Sequence, residues 1–284
     1  MDILQAVSER EGFHVFLREV LAAKKRVLVL SMGGGNDYIG AYAIAKLISK
    51  YHPKVDVFFA SSIDISGDYK PLIKVKNNLF TIDDFLPNLE SEIKNHSLRL
   101  IAQGIKNEKM NLPYFVSINN NDPDKTRSSY QELFDEIIPD CIFTVDNGGD
   151  SITGGLDGEN GFDQANLNAL LEMKRKTHHL VIGPGCDGES SIEDFNQCIL
   201  MQFENFRGIF DIGEAVDLVY DNVMHNSEVM LEMAHRWSTM RIIVEANTKV
   251  KQGFGDDLFT VPRHNQNQVF PFKILQSVLA FEYN

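Results

Sequence analysis

The stretch VLVLSMGGGNDYIGAYAIA, Val27–Ala45, decides the fold of this chain. Its first four residues are valines and leucines of the kind that form buried strands, and an alanine-rich segment with helical periodicity follows the three glycines. A strand, a glycine turn and a helix in that order direct backbone N–H groups towards an anion. A second apolar run at Val55–Ala60 completes a β-α-β unit, whose crossover is expected to be right-handed.

Two later stretches repeat the combination of an apolar run with glycines and carboxylates. They are IFTVDNGGDS at Ile142–Ser151 and LVIGPGCDGE at Leu180–Glu189. Because ligands of open α/β sheets bind outside the carboxyl ends of the strands, all three turns are expected at one edge. The alternation of strands and helices predicts one α/β domain over residues 1–284, with a Rossmann-like open, mainly parallel sheet and helices on both faces. The pattern loosens over residues 61–111, which are expected to form an insertion or a lid after the second strand.

The last third of the chain has weaker patterns. They predict a helix at Gly208–Asp221, a strand at Met240–Glu245, and a buried strand or helix at Val269–Phe281. His178 and His179 precede a strand and are interpreted as a surface pair, since no partner ligand stands at a spacing typical of a metal site.

Composition limits the classes of partner. The 27 basic and 40 acidic residues give a formal net charge of −13, which repels nucleic acids and anionic membrane surfaces but leaves small anionic ligands and homo-oligomers open. The three cysteines show no metal-type spacing, which favours a reducing compartment, the cytoplasm. No signal peptide is recognised, and no apolar run approaches the roughly 18–20 residues of a membrane span.

The first glycine turn does not match the common nucleotide fingerprints. Gly33 and Gly35 fit the first two positions of the dinucleotide motif, but Tyr38 occupies the third, where a small residue is needed. The second strand also ends without the acidic residue that binds a ribose, so NAD is not expected. A phosphate loop of the Walker A type matches less well still, because the Gly-Lys-Ser/Thr ending is missing.

The three turns carry the candidate chemistry. Converging carboxylates repel one another unless a cation joins them, and Mg²⁺ prefers oxygen ligands together with a substrate phosphate. The expected metal ligands are Asp146 and Asp150, with Asp37 and Asp187 as catalytic acid/base groups or further ligands. A carboxyl group with a raised pKa that acts as a general acid or base is the alternative, and ordinary turns and helix caps are the simplest interpretation of any one motif. The expected ligand-binding residues are Gly33, Gly34, Gly35, Asn36, Asn147, Gly148, Gly149, Ser151, Gly183, Gly185 and Glu189.

Several basic residues in the last third of the chain are weaker candidates for ligand binding. His235, Arg236 and Arg241 have the composition of an anion clamp, although a helix end explains them more simply. Arg263 and His264 lie in a polar segment, where a solvated loop is the simpler interpretation.

Taken together, the three motifs resemble a family of mainly archaeal and bacterial proteins, domain-of-unknown-function family 1152. The motifs stand here as GGGND at Gly33–Asp37, VDNGGDS at Val145–Ser151 and GPGCDGE at Gly183–Glu189. The resemblance implies a Rossmann-like fold and no established activity.

The leading functional hypothesis is an enzyme that binds a small phosphorylated or nucleotide-like metabolite at the carboxyl edge of the sheet and catalyses metal-dependent hydrolysis or group transfer. One alternative is a ligand-binding or sensor module without turnover. Another is a transferase that uses a nucleotide or S-adenosylmethionine.

Overall fold

The computed structural model describes residues 2–33, 36–64, 79–81, 111, 114–118, 122–156, 161–220, 238–263 and 267–284. Its strands, in chain order, are β1 (Glu11–Gly12), β2 (Arg26–Ser31), β3 (Asp56–Asp64), β4 (Leu79–Thr81), β5 (Tyr114–Ile118), β6 (Cys141–Asn147), β7 (Thr177–Ile182), β8 (Phe206–Asp211), β9 (Leu258–Thr260), β10 (Val269–Pro271) and β11 (Ser277–Tyr283). Its α-helices are α1 (Ile3–Ala6), α2 (Phe13–Leu21), α3 (Asp37–Tyr51), α4 (Pro123–Ile137), α5 (Asp150–Thr153), α6 (Phe162–Leu171), α7 (Ile192–Met201), α8 (Gly213–Ala215), α9 (Thr239–Lys251) and α10 (Phe272–Leu275).

Nine of the described strands form one sheet in the order β1-β8-β11-β7-β6-β2-β3-β5-β4. The centre of this sheet is parallel, since β2 pairs with β3 and β6, β3 pairs with β5, and β6 pairs with β7 in that sense. Strand β11 is antiparallel to both β7 and β8, and β4 is antiparallel to β5. The predicted Rossmann-like, mainly parallel open sheet with helices on both faces is therefore confirmed.

The central strands are buried because helices cover both faces of the sheet. Every residue of β6 and β7 is buried, and in β2 only Arg26 is partly exposed. This is why these strands have nearly continuous apolar sequences instead of an alternating pattern. The buried polar residues at the ends of these strands, such as Ser31 and Asp146, therefore need hydrogen-bond partners within the protein.

Helix α3 lies close to the sheet because its sequence is rich in small residues. It contacts β2, β3 and β6, and Ala41, Ala43 and Ala45 are fully buried. Gly40 on the same helix touches Asn147 so closely that a Cβ there would collide with the Asn147 side chain. The small residues thus bring the first turn of α3 next to the end of β6.

One prediction for the last third is wrong in its first part, and another is wrong throughout. The segment predicted as a helix over Gly208–Asp221 begins inside β8, with Gly208 at φ 140°, a conformation that favours glycine, and is helical only over residues 213–220. The segment Met240–Glu245, predicted as a strand, lies inside α9. Ser238 caps that helix by accepting the backbone N–H of Arg241 at 3.2 Å.

The segment Val269–Phe281 contains both predicted alternatives, a short helix and the buried strand β11. Most of the predicted insertion at 61–111 lies outside the described residues, apart from the end of β3 and β4. Within the described ranges, no helix has the length and apolarity needed to cross a membrane.

Candidate functional site

The candidate site lies where the connections of the sheet change direction. From β2 the chain passes through α3 to β3 on one side, whereas β6 lies on the other side of β2 and leads on to β7. The carboxyl ends of β2 and β6 therefore form the border of a crevice, the usual ligand position in open α/β sheets. Asp37 begins α3 directly after the β2 turn, and Asp146 lies at the end of β6.

Asp37 connects the two sides of this crevice. Its Oδ2 accepts the backbone N–H of Gly33 at 3.0 Å, and its Oδ1 accepts the backbone N–H of Asn147 at 2.9 Å. The amide side chain of Asn147 donates in turn to the carbonyl of Asn36 at 2.8 Å. Asp37 is thus fixed between the β2 turn and the end of β6, and each carboxylate oxygen retains capacity for another ligand.

Asp163 brings a third carboxylate to the same place. It lies in the first turn of α6, and the side chain of Asn166 ties that helix to the end of β2 by donating to the Met32 carbonyl at 2.8 Å. One oxygen each of Asp37, Asp146 and Asp163 lies within 4.8 Å of the others. Opposite oxygen ligands of one cation are separated by about 4.2 Å for Mg²⁺ and about 4.6–5.2 Å for Ca²⁺. Three oxygens within 4.8 Å of one another therefore lie inside the span of Ca²⁺, and they would have to close by about half an ångström to share one Mg²⁺. We call these three residues the carboxylate triad.

Asp146 is held by the turn that follows β6. Its Oδ2 accepts the backbone N–H of Ser151 at 3.1 Å and also the Ser151 hydroxyl, and its Oδ1 receives the longer contact from the Gly149 N–H at 3.4 Å. The Ser151 hydroxyl is 2.9 Å from Nε2 of His179, whose Nδ1 is 2.8 Å from the Thr144 hydroxyl. Ser151 is therefore buried and bonded within the protein.

Burial and mutual repulsion raise the pKa of the clustered carboxyl groups. Desolvation is the main cause in each case, and neighbouring negative charges add to it. The pKa values of Asp146 and Asp150 rise to about 8, and those of Asp37 and Asp163 rise well above the usual range. At neutral pH such a cluster keeps protons unless a cation replaces them.

None of the cations in the described part of the chain neutralises this cluster by direct contact. Lys, Arg and His side chains there form no ion pair with the triad, Asp150 or Asp187. Asp150 is half-buried beside the triad and interacts with Asp146 and Asp163 through charge and hydrogen bonding. The expected pair Asp146 and Asp150 is thus extended by Asp37 and Asp163, and the tight group contains Asp163 in place of Asp150.

Asp187 lies on the third turn, next to the second. Its Oδ1 accepts the backbone N–H of Glu189 at 2.9 Å, whereas its buried Oδ2 has no hydrogen-bond partner among the described residues. Burial raises the pKa of Asp187 to about 7, assisted by the charges of Asp150 and Glu189. That carboxyl lies directly against Gly148, where a Cβ would collide with it.

The glycine turns differ from expectation in one respect, because their N–H groups are not free. The described amides bond inside the protein: Gly33 to Asp37, Gly148 to the Ile182 carbonyl, Gly149 to Asp146, Gly183 to the Ser277 carbonyl and Gly185 to the Gly148 carbonyl. These glycines instead provide positive φ angles and close approach, as at Gly148 and Gly183. The expectation that they offer spare donors to a phosphate is therefore wrong for these five, and Gly34 and Gly35 lie outside the described residues.

The remaining predicted residues are placed as follows. Glu189 borders the second turn, where its Oε2 accepts the backbone N–H of Leu156 at 3.2 Å. Arg263 packs beside Gly188 and lowers the pKa of Asp187 through its charge. Arg241 lies in the first turn of α9. His235, Arg236 and His264 lie outside the described residues.

The prediction of a surface pair at His178 and His179 is wrong, because both side chains are buried in β7. Lack of solvent lowers the pKa of His178 to about 4 and that of His179 to about 3, so both imidazoles are neutral at pH 7. The strand begins at Thr177, three residues before the start of the apolar run at Leu180 that predicts it.

Sequence reasoning also missed Asp163, Thr144 and Asn166. Asp163 follows the glycine-containing segment that ends at Gly161, and an acidic residue in the first turn of a helix is normally explained by the helix dipole. The sequence distances from Asp163 to Asp37 and to Asp146 match no known motif. Only the packing of α6 against the β2 end reveals its role.

A family model described as "protein of unknown function (DUF1152)" matches residues 78–229. The matched region contains Asp146, Asp163 and Asp187 but ends short of Asp37 on the amino-terminal side. A search of curated proteins finds no match. Since the family model covers more than half of the sequence, the chain belongs to the DUF1152 family.

Proposed function

We propose that this protein is an enzyme that holds a divalent cation, Mg²⁺ by preference, at the carboxylate triad and acts on a small phosphorylated or nucleotide-like metabolite. The observation that carries the proposal is the approach of three carboxylates, those of buried Asp37 and Asp146 and of half-buried Asp163, to within 4.8 Å, with no protein cation paired to them in the described ranges. Repulsion between the ionised carboxylates of such a cluster destabilises the folded state, and a bound cation relieves that repulsion.

The size of that cost favours a cation over a purely structural role. At an effective dielectric constant of about 20, two carboxylates about 5 Å apart repel each other by about 3 kcal/mol. The triad contains three such pairs when it is fully ionised. Protonation relieves the repulsion, and the raised pKa values of Asp37, Asp146 and Asp163 express that tendency. A divalent cation relieves it by attraction instead and displaces the protons.

The cation also explains how an acidic protein would bind an anionic metabolite. Mg²⁺ takes six oxygen ligands, and one oxygen from each triad residue leaves positions for substrate oxygens or water. Since the described glycine amides are engaged within the fold, the cation would be the main positive contact for a phosphate. The chain's charge of −13 repels anions at long range, and a local positive centre would offset that repulsion.

Asp187 is the proposed general acid/base. It is buried, its Oδ2 is unpartnered among the described residues, and its pKa of about 7 suits proton transfer at neutral pH. In a hydrolysis, the oxygen of water would form the new bond to the transferred group while Asp187 accepts a proton from that water. The leaving group would depart with the electron pair of the broken bond.

A binding experiment followed by a chemical assay tests this proposal. Isothermal titration with Mg²⁺ and Mn²⁺ is expected to show one saturable cation site. Thermal-shift screening of phosphorylated metabolites and nucleotides, with and without Mg²⁺, is expected to find a ligand that stabilises the protein only when Mg²⁺ is present.

Mass spectrometry of that ligand after incubation then separates the alternatives. Conversion of the ligand supports an enzyme, and an unaltered ligand favours the sensor or binding module. Copurified S-adenosylmethionine or nucleotide would instead favour a transferase. Failure to bind either cation would overturn the proposal.

A further inference from the structure

A continuous line of buried hydrogen bonds runs from the triad into the sheet. It begins at Asp146 Oδ2, passes through the Ser151 hydroxyl and His179, and ends at the Thr144 hydroxyl. Exposure of these four side chains to solvent does not exceed 1%. Water therefore cannot substitute for any of these bonds, and the direction of each one is set by its neighbours.

The state of Asp146 fixes that direction. A carboxylate that ligates a cation is ionised and can only accept hydrogen bonds, so Ser151 must donate its single hydroxyl proton to Asp146. The Ser151 oxygen can then only accept from Nε2–H of His179. Neutral imidazole carries one N–H, which leaves Nδ1 of His179 as the acceptor for the Thr144 hydroxyl. Burial keeps His179 neutral at ordinary pH.

We infer that Ser151, His179 and Thr144 are positioning residues that hold Asp146 as an ionised cation ligand. Ser151 places two donors on Oδ2, its backbone N–H and its hydroxyl, whereas Oδ1 has only the longer Gly149 contact and is the oxygen left to bind the cation. Ligating groups are commonly oriented in this way by hydrogen-bonded neighbours. The inference rests on the proposed function, because it assigns these residues to the same cation site.

The arrangement differs from that of a serine hydrolase. In a catalytic triad the carboxylate bonds to the histidine and the serine faces the substrate. Here the carboxylate bonds to the serine, and Ser151 is 1% exposed. Ser151 and His179 are therefore placed to support Asp146 and not to attack a substrate.

Three substitutions test this line of hydrogen bonds, and they differ in how much of it they remove. Ser151→Ala removes the hydroxyl but retains the backbone donor, Thr144→Val removes only the distal hydroxyl, and Ser151→Thr keeps the hydroxyl as a conservative rescue. Ser129→Ala is the matched control, since its buried hydroxyl donates to the Lys125 carbonyl of its own helix at 3.0 Å. The readouts are the Kd for Mn²⁺ by isothermal titration and the melting temperature of each variant.

The expected result is a Kd about 10- to 100-fold weaker for Ser151→Ala. A smaller loss is expected for Thr144→Val, and near wild-type values for Ser151→Thr and the control. Equal affinity of Ser151→Ala and wild type would overturn the inference while leaving the proposed function intact. Absence of cation binding in the wild type would overturn both. If Ser151→Ala does not fold, Thr144→Val decides by the same comparison.

The imidazole of His179 gives an independent readout. Nitrogen-15 NMR of histidine-labelled protein loaded with Mg²⁺ is expected to show His179 with its proton on Nε2, and His179→Gln identifies the signal among the eight histidines. Finding the proton on Nδ1 in the loaded protein would contradict the assigned direction and overturn the inference.

Discussion

The carboxylate of Asp37 accepts the backbone N–H of Asn147 at 2.9 Å, although 110 positions separate the two residues in the chain. This bond joins the turn after β2 to the end of β6 at the point where the connections of the sheet diverge. It places Asp37 next to Asp146. The fold itself holds the two carboxylates side by side through this bond, and a fixed arrangement of ligands favours tight cation binding.

Removal of Asp163 is predicted to weaken cation binding more than removal of Asp150. Asp163 belongs to the tight triad, whereas Asp150 acts on it as a neighbour. Asp163→Asn is expected to raise the Kd for Mn²⁺ by at least about 10- to 100-fold, the range that supporting residues already reach. Exposed Asp135→Asn serves as the control. A larger loss in Asp150→Asn than in Asp163→Asn would show that the cation lies elsewhere in the cluster.

Gly33→Ala is predicted to disrupt the triad from the other side. A Cβ at Gly33 would collide with both carboxylate oxygens of Asp163, and these cannot retreat far on a short side chain. Mn²⁺ affinity measured by titration should therefore fall, while circular dichroism shows an intact fold. Gly255→Ala is the matched control, because its Cβ would meet only the flexible chain of Lys273. Unchanged affinity in Gly33→Ala would remove Asp163 from the site.

The stability of the protein without added cation is predicted to fall between about pH 6.5 and 8.5. Asp146 and Asp150, with pKa values of about 8, hold protons over most of this window, and Asp187, at about 7, holds one at its lower end, whereas the same groups in the unfolded chain are ionised throughout. The folded state binds more protons, so its stability decreases as pH rises through these values. His178 and His179, with folded pKa values of about 4 and 3, act oppositely but only below about pH 6.5.

Thermal melts across this range, with and without Mg²⁺, measure the effect. Mg²⁺ should raise the melting temperature more at pH 8.5 than at pH 6.5, because fewer protons must be displaced. Asp146→Asn should flatten the profile recorded without cation. A melting temperature that rises with pH in this window would be inconsistent with the raised pKa values.

Asp187→Asn is predicted to separate binding from chemistry. The amide keeps an acceptor for the Glu189 N–H but cannot take up a proton. Mn²⁺ affinity should remain near the wild-type value, whereas conversion of the metabolite found by screening should fall by about 10²–10⁴-fold. Retained turnover in this variant would assign proton transfer to another group.

Sequence patterns predicted the centre of the fold because its signals are local. The run from Val27, the glycines and the small residues of α3 each specify their own element, and the carboxyl-edge rule then placed Asp37 and Asp146 together. The position of Asp163 beside these two residues was not predicted, because Asp163 lies on a helix outside the three glycine turns. The carboxyl-terminal strand β11 lies antiparallel between β7 and β8. Its apolar sequence predicts a buried strand but does not indicate which strands it pairs with.

The error at Met240–Glu245 has a different cause. Six apolar-rich residues read alone resemble a strand, whereas the longer window from the capping Ser238 to Lys251 has one apolar face, with Met240, Ile243 and Ala246 buried. The error at His178 and His179 arises because polar side chains suggest exposure when the neighbouring strands are unknown. Their burial depends on partners such as Thr144 that only the neighbouring strand provides.

A crystal structure of the protein grown with saturating Mn²⁺, with anomalous data collected to locate the metal, shows whether the triad holds a cation. One strong anomalous peak is expected about 2.0–2.6 Å from an oxygen of each of Asp37, Asp146 and Asp163, the distances typical of oxygen ligands. A crystal grown in this way with no peak at the triad, or with a peak that only Asp150 and Glu189 contact, would contradict the proposed cation site.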